Sequence, residues 1–139
     1  MVKLKLKINL FDALVLLVVV IFAGLFIMSF NNKPYLGDKN MLVELKISNS
    51  DTINAILPKV ATSKTVYFSG TKYPVEQLSY RVENDTNGQP ECLYVTIKGL
   101  GVVSDGASIF NGQRIFVNQK VEIHADYQAQ GYVTDYHYE

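Results

Sequence analysis

The sequence predicts a mainly β protein: an N-terminal transmembrane helix followed by a small all-β barrel or sandwich. Three observations carry that expectation. Residues 13–30 contain no charge, amide or proline. From Met41 onward, β-branched and aromatic residues alternate with polar ones in short runs. Turn-forming residues punctuate those runs, and only one short stretch has helical character.

Eighteen helical residues span about 27 Å at ~1.5 Å each, close to the ~30 Å hydrocarbon core of a bilayer. Thirteen of the eighteen are Leu, Ile, Val or Phe. At ~0.3–0.6 kcal/mol each, they favour insertion by roughly 4–8 kcal/mol. A cleaved signal peptide has a shorter apolar stretch and small residues at its cleavage site. Here the run ends Phe26-Ile27-Met28-Ser29-Phe30, so an uncleaved anchor over 11–30 is expected, preceded by a basic segment, 1–10. Lys3, Lys5 and Lys7 precede the span, against Lys33 and Lys39 soon after it. That bias predicts a cytoplasmic amino terminus and an extracytoplasmic C-terminal domain at the cell membrane. The alternation of Lys3, Lys5 and Lys7 with Leu4, Leu6 and Ile8 fits either a basic segment at anionic headgroups or a short strand. Asp12 reads as a dipole-favoured carboxylate at the helix start, with an intramembrane proton carrier as the alternative.

Residues 31–40 are polar and broken by Pro34 and Gly37, and read as a linker to a domain over 41–139. Within it, strands are expected at 41–47, 65–68, 75–82, 92–98, 107–110, 113–117, 120–126 and 132–138. A short helix is expected at 52–57, capped by Ser50-Asp51 and closed by Pro58. Asn111-Gly112 between apolar runs signals a hairpin. Residues 85–90 should join the strands at 75–82 and 92–98, and 127–130 should be the turn of the last hairpin. A strand at 42–47, then Val66, then a strand near Leu78 is echoed by 93–97, Val121 and a strand near Val133. The steps Val66 to Leu78 and Val121 to Val133 are both twelve residues. An internal duplication with a pseudo-twofold core and a chance recurrence of β patterning both account for the echo.

The chain has thirteen basic and thirteen acidic residues. Beyond the span there are ten basic and twelve acidic, and no basic patch supports nucleic-acid binding. The lone Cys92 forms no intramolecular disulfide and lies in a strand-like run, as a small packing residue does. The Gly-x-Ser-x-Gly nucleophile motif is absent, and Gly99-Leu100-Gly101 does not open a helix as a dinucleotide loop does. The nine tyrosines all follow the span, and the chain has no tryptophan. Strand packing accounts for them better than a sugar-stacking surface.

The most suggestive cluster joins residues 120–126 to 134–137. With the turn at 127–130, His124 faces Val133, Glu122 faces Asp135, and Lys120 faces His137. Glu122, His124, Asp126, Asp135 and His137 then share one face, a donor set able to hold a divalent metal. A plain solvated face, with Lys120 relieving the carboxylates, is the competing expectation and the preferred one. No catalytic residue, cofactor or resident metal is expected.

The opening Leu6-Lys7-Ile8-Asn9-Leu10-Phe11-Asp12-Ala13-Leu14-Val15 resembles that of an uncharacterised bacterial single-pass membrane family, domain of unknown function 4330, with its K-I-N-x-x-D lead into one membrane helix. The run Ile115-Phe116-Val117-Asn118-Gln119-Lys120-Val121, then Tyr127 and Gly131-Tyr132-Val133, is similar to that family's ending. There a V-G-x-x-V step precedes an aromatic residue and G-x-V; this chain has Asn118 in place of the usual glycine, which puts that turn in question. The resemblance implies a membrane-anchored envelope protein, of a family whose genes neighbour surface-polysaccharide functions, and carries no catalytic residues. The expected function is therefore a non-catalytic accessory or interaction protein, partnered by the bilayer and an envelope protein. A carbohydrate- or cell-wall-binding module is the alternative, and a small metal-dependent hydrolase the least supported.

Overall fold

The computed structural model describes residues 9–31 and 35–139 and divides into two compact units after Pro34. The expected topology residues Lys3, Lys5 and Lys7, and residues 32–34 of the expected linker, lie outside the described residues.

In the first unit, α1 (Leu10–Asn31) contains a 21-residue stretch, Leu10–Phe30, long and apolar enough to cross a membrane, with none of its residues buried within the protein. Asn9 caps it: its side-chain oxygen accepts from the Leu10 N–H at 3.0 Å. Reciprocally, the Asn9 N–H donates to Asp12 Oδ2 at 3.2 Å. Asp12 thus closes a box around the first turn, where the helix dipole favours a negative charge.

The second unit holds β1 (Lys39–Ile47), α2 (Ser50–Val60), β2 (Thr65–Phe68), β3 (Pro74–Asn84), β4 (Pro90–Ser104), β5 (Ala107–Phe110), β6 (Gln113–Ile115), β7 (Lys120–His124) and β8 (Gln128–Tyr138). Their order is β1-β8-β7-β2-β3-β4, and β4 pairs back onto β1. Six antiparallel strands therefore close into a barrel, while β5 and β6 extend from the far part of β4. Period-two alternation supplies the interior. Met41, Val43, Leu45 and Ile47 of β1 point inward, with Leu93, Val95 and Ile97 of β4 and Val66 and Phe68 of β2. Ile53, Ile56 and Val60 bury one face of α2 in the same core. Phe68 and Phe110 meet edge to face, centroids 5.2 Å apart.

The structure differs from the sequence-based expectation at several places, each with a local cause. Asn49, and not Ser50-Asp51, caps α2 by accepting from the Thr52 N–H at 2.9 Å. Pro58 does not close that helix, which runs on to Val60. Val60 is fully buried, and its carbonyl accepts from Gln77 Nε2 at 2.6 Å; the core and this bond hold the last turn. β4 continues through Gly99 and Gly101 where the expected strand stopped at Lys98. A Cβ on Gly99 would come within 2.9 Å of the Phe110 ring, and one on Gly101 within 2.7 Å of Met41 Cε. These glycines mark close approach and not a strand end. β6 stops at Ile115, short of 117, and the Gln119 side chain accepts from the Phe116 N–H at 3.1 Å.

The last hairpin has the largest correction. Residues 125–127 form its turn, and Lys120 pairs with Tyr132, Glu122 with Gln130 and His124 with Gln128. Ala129 and Gly131, expected in or beside the turn, are inward strand positions opposite Ile123 and Val121. Gly131 is required there because a Cβ would lie 2.7 Å from the Lys46 carbonyl oxygen of β1. Asn118, standing where a glycine is usual, keeps the left-handed turn at φ 66°, a conformation asparagine tolerates.

The two halves repeat in the structure, one residue out of the register of the echo, since Gln77 and not Leu78 takes the place of Val133. Exchanging β1 with β4, β2 with β7 and β3 with β8 reproduces the ring order. Leu78 on β3 is bulged, since its neighbours Gln77 and Ser79 pair with consecutive residues Ile97 and Thr96. Thr134 on β8 is bulged in the same way opposite Glu44 and Leu45. The residue before each bulge donates its N–H to the residue before the paired strand: Gln77 to the Lys64 carbonyl at 2.8 Å, Val133 to the Gln119 carbonyl at 3.0 Å. A chance echo would not bring ring order, bulge and hydrogen bond into coincidence.

Two outcomes follow for stability. Gly131→Ala should cost about 1–3 kcal/mol, because its Cβ meets backbone that cannot yield cheaply; chemical denaturation should show Gln130→Ala, on the outer face, within about 0.5 kcal/mol of the parent. Tyr127 is buried, with its hydroxyl donating to Gln77 Oε1 at 2.8 Å, and burial pushes its phenol up to about 12. An unfolded phenol titrates near ~10, so this stabilisation is intact below that pH and is lost as pH rises through about 12. The melting temperature should fall more steeply from about pH 10 to 12 in the parent than in Tyr127→Phe.

Candidate functional site

With Val121 and Ile123 facing inward, Lys120, Glu122 and His124 project from the outer face of β7. Gln128, Gln130 and Tyr132 project beside them from β8, because Ala129, Gly131 and Val133 turn inward. The segment leaving β1 through Ile47 and Ser48 to the Asn49 cap and Thr52 forms an opposing wall. All of these outward side chains and wall residues except His124 line a groove of about 610 Å³. It shares Lys120, Glu122 and Gln130 with a neighbouring hollow of about 370 Å³ that includes Ser69, Gly70 and His124.

Within it, Glu122 Oε1 accepts from Gln128 Nε2 at 2.6 Å and lies 3.6 Å from His124 Nε2. The Glu122 and His124 side chains are both partly exposed. The His–Glu separation exceeds the ~2.6–3.2 Å of a working proton-transfer pair, and the carboxylate is engaged by an amide. What the groove offers is a row of amide, hydroxyl and ammonium groups with one tyrosine face. Such groups are able to hydrogen-bond a polar ligand.

The five metal candidates are not brought together as the expected register required. Glu122 and His124 remain neighbours on β7. Asp126 sits in the hairpin turn and shares a hollow with His124, Thr62, Lys64 and Tyr67, away from Asp135 and His137. Asp135 lies opposite Glu44, and His137 opposite Leu42, on β1. Asp135 Oδ2 and His137 Nδ1 are 4.0 Å apart on well-exposed side chains. Among the described residues, no three of His, Cys, Asp and Glu are grouped to hold a metal ion. Cys92 is a buried thiol. The groove residues Asn49, Thr52, Gln128 and Gln130 were missed in the sequence; reading Ala129 and Gly131 as inward positions would have exposed the last two.

Comparison of the chain with models of protein families, with curated proteins and with solved structures finds no match.

Because the donor groups are dispersed, zinc or manganese added to the full chain in detergent should leave its melting midpoint unchanged. A rise of several degrees that His124→Ala abolishes would contradict this geometry.

Proposed function

We propose that this chain is a single-pass membrane protein of the bacterial cell envelope, acting as a non-catalytic accessory or interaction protein linked to surface-polysaccharide assembly. Its amino terminus stays in the cytosol, and its β barrel stands on the extracytoplasmic side. The observation that carries the reading is the uninterrupted apolar helix Leu10–Phe30 ahead of a barrel with its own core. Lys3, Lys5 and Lys7 give the orientation through the positive-inside bias. The envelope setting rests on the resemblance to domain of unknown function 4330. Tethering raises the barrel's effective concentration at membrane partners, so weak contacts suffice.

The groove over β7 and β8 favours a second reading, a carbohydrate- or cell-wall-binding module. Gln128, Gln130, Asn49, Thr52 and Tyr132 supply the amides, hydroxyls and aromatic face that sugars use. On that reading, Tyr132→Ala with Gln130→Ala abolishes binding of the detergent-solubilised chain to a glycan array; no binding by the parent removes it.

The primary reading has a direct check. After alkaline washing the chain should stay in the membrane fraction, and protease added to spheroplasts should digest its carboxyl-terminal tag. Crosslinking in intact cells should capture an envelope protein in a discrete band absent when residues 1–30 are replaced by a cleavable signal. Extraction by alkali, protection of the tag, or recovery of the monomer alone would overturn the proposal.

A further inference from the structure

The barrel is polarised along β4. This fifteen-residue strand overruns β1 in both directions: Pro90–Cys92 passes beyond Ile47, and Val102–Ser104 passes beyond Lys39. At the Ile47 end, the eleven residues 81–91 include Arg81, Glu83, Asp85 and Glu91. At the Lys39 end, the fifteen residues 99–113 include one charge, Asp105. There β4 and β5 form a hairpin reaching past the rim, pairing Val102 with Ile109 and Ser104 with Ala107.

Exposed apolar side chains gather on and beside this hairpin, although Asp38, Lys39, Arg114 and the Lys98–Glu139 ion pair flank it. Val103 and Phe116 are each 55% exposed and Tyr35 is 68% exposed, with Leu100 also exposed. Phe116 lines a hollow with Gly106, Ala107 and Ser108 of the hairpin and with Arg114, so it belongs to the same rim. Tyr35 does too, because a Cβ on nearby Gly37 would collide with the Gly101 carbonyl. Only residues 32–34 lie between Asn31 and Tyr35, and four Cα steps cover at most about 15 Å. With the helix in lipid, that length bounds how far Tyr35 can stand from the end of the span.

We propose that the β4–β5 hairpin and its flanking residues Tyr35, Leu100, Val103 and Phe116 contact the lipid interface, so that the barrel rests on the outer leaflet by this rim. The inference builds on the membrane anchoring of the preceding subsection. Aromatic and aliphatic side chains at headgroup depth gain apolar burial while the hairpin's polar backbone stays near water. The charged Ile47 end then points away from the bilayer, leaving the groove over β7 and β8 free for a partner.

The absence of tryptophan makes the test clean. Val103→Trp and, separately, Phe116→Trp are placed in the full chain in liposomes, with Asn87→Trp at the opposite hairpin as reference. Lipids carrying a nitroxide near the headgroup should quench the first two at least threefold more than the third. Co-flotation with the liposomes is measured on the same samples. Failure to float overturns the anchoring and this inference together. Flotation with residue 103 and 116 emission quenched no more than residue 87 overturns the inference alone. Blue-shifted emission that nitroxide lipids do not quench identifies a protein neighbour at the rim and likewise overturns it.

Discussion

The fold depends on β1 being hydrogen-bonded along both sides, to β4 on one and β8 on the other. Without that double pairing, the sheet would be an open ribbon with two exposed edges and a hydrophobic face. With it, six strands close and the alternating apolar residues become a sealed interior. Closure at six strands also leaves little room, and the sequence answers with glycine where chains approach. Gly131 passes the Lys46 carbonyl, and Gly37 passes Gly101. The bulges at Leu78 and Thr134 bend β3 and β8 at matching places in the two halves.

The two halves use the same ring positions for different insertions. Between β1 and β2 the chain places α2; between β4 and β7 it places the β5–β6 hairpin. The position equivalent to Val133 is Gln77, the residue before the other bulge. Gln77 is buried because it joins the Val60 carbonyl of the helix to the Tyr127 hydroxyl of the last turn. A polar side chain in the interior is tolerable when its donor and acceptor are both satisfied, as here. The repeat therefore supplies the scaffold, and its departures set the two faces apart: a groove beside α2, and a charge-poor hairpin at the rim.

Much of the scaffold was legible in the sequence. The period-two runs located all eight strands, and Asn111-Gly112 located its hairpin, because these signals are local. What failed was long-range. Gly99, Gly101 and Gly131 look like breakers until the strand or ring they accommodate is known. Pro58 looks like a helix end until Val60 is seen buried. The site suffered most, since reading Ala129 as a turn residue shifted the last hairpin and dealt Asp135 and His137 to the wrong neighbours. Asn118 shows the opposite lesson: a non-glycine residue raised a doubt that its φ of 66° resolves.

Amide hydrogen exchange along residues 41–47 tests the closed ring most directly. In an edge strand, alternate N–H groups face solvent and exchange within the fast, locally open class. In a strand paired on both sides, successive N–H groups point to opposite neighbours and all are bonded. The closed barrel predicts slow exchange at every one of these seven amides, with protection approaching that of global unfolding. Rapid exchange at every second residue from 41 to 47 would show β1 to be an edge and contradict the barrel.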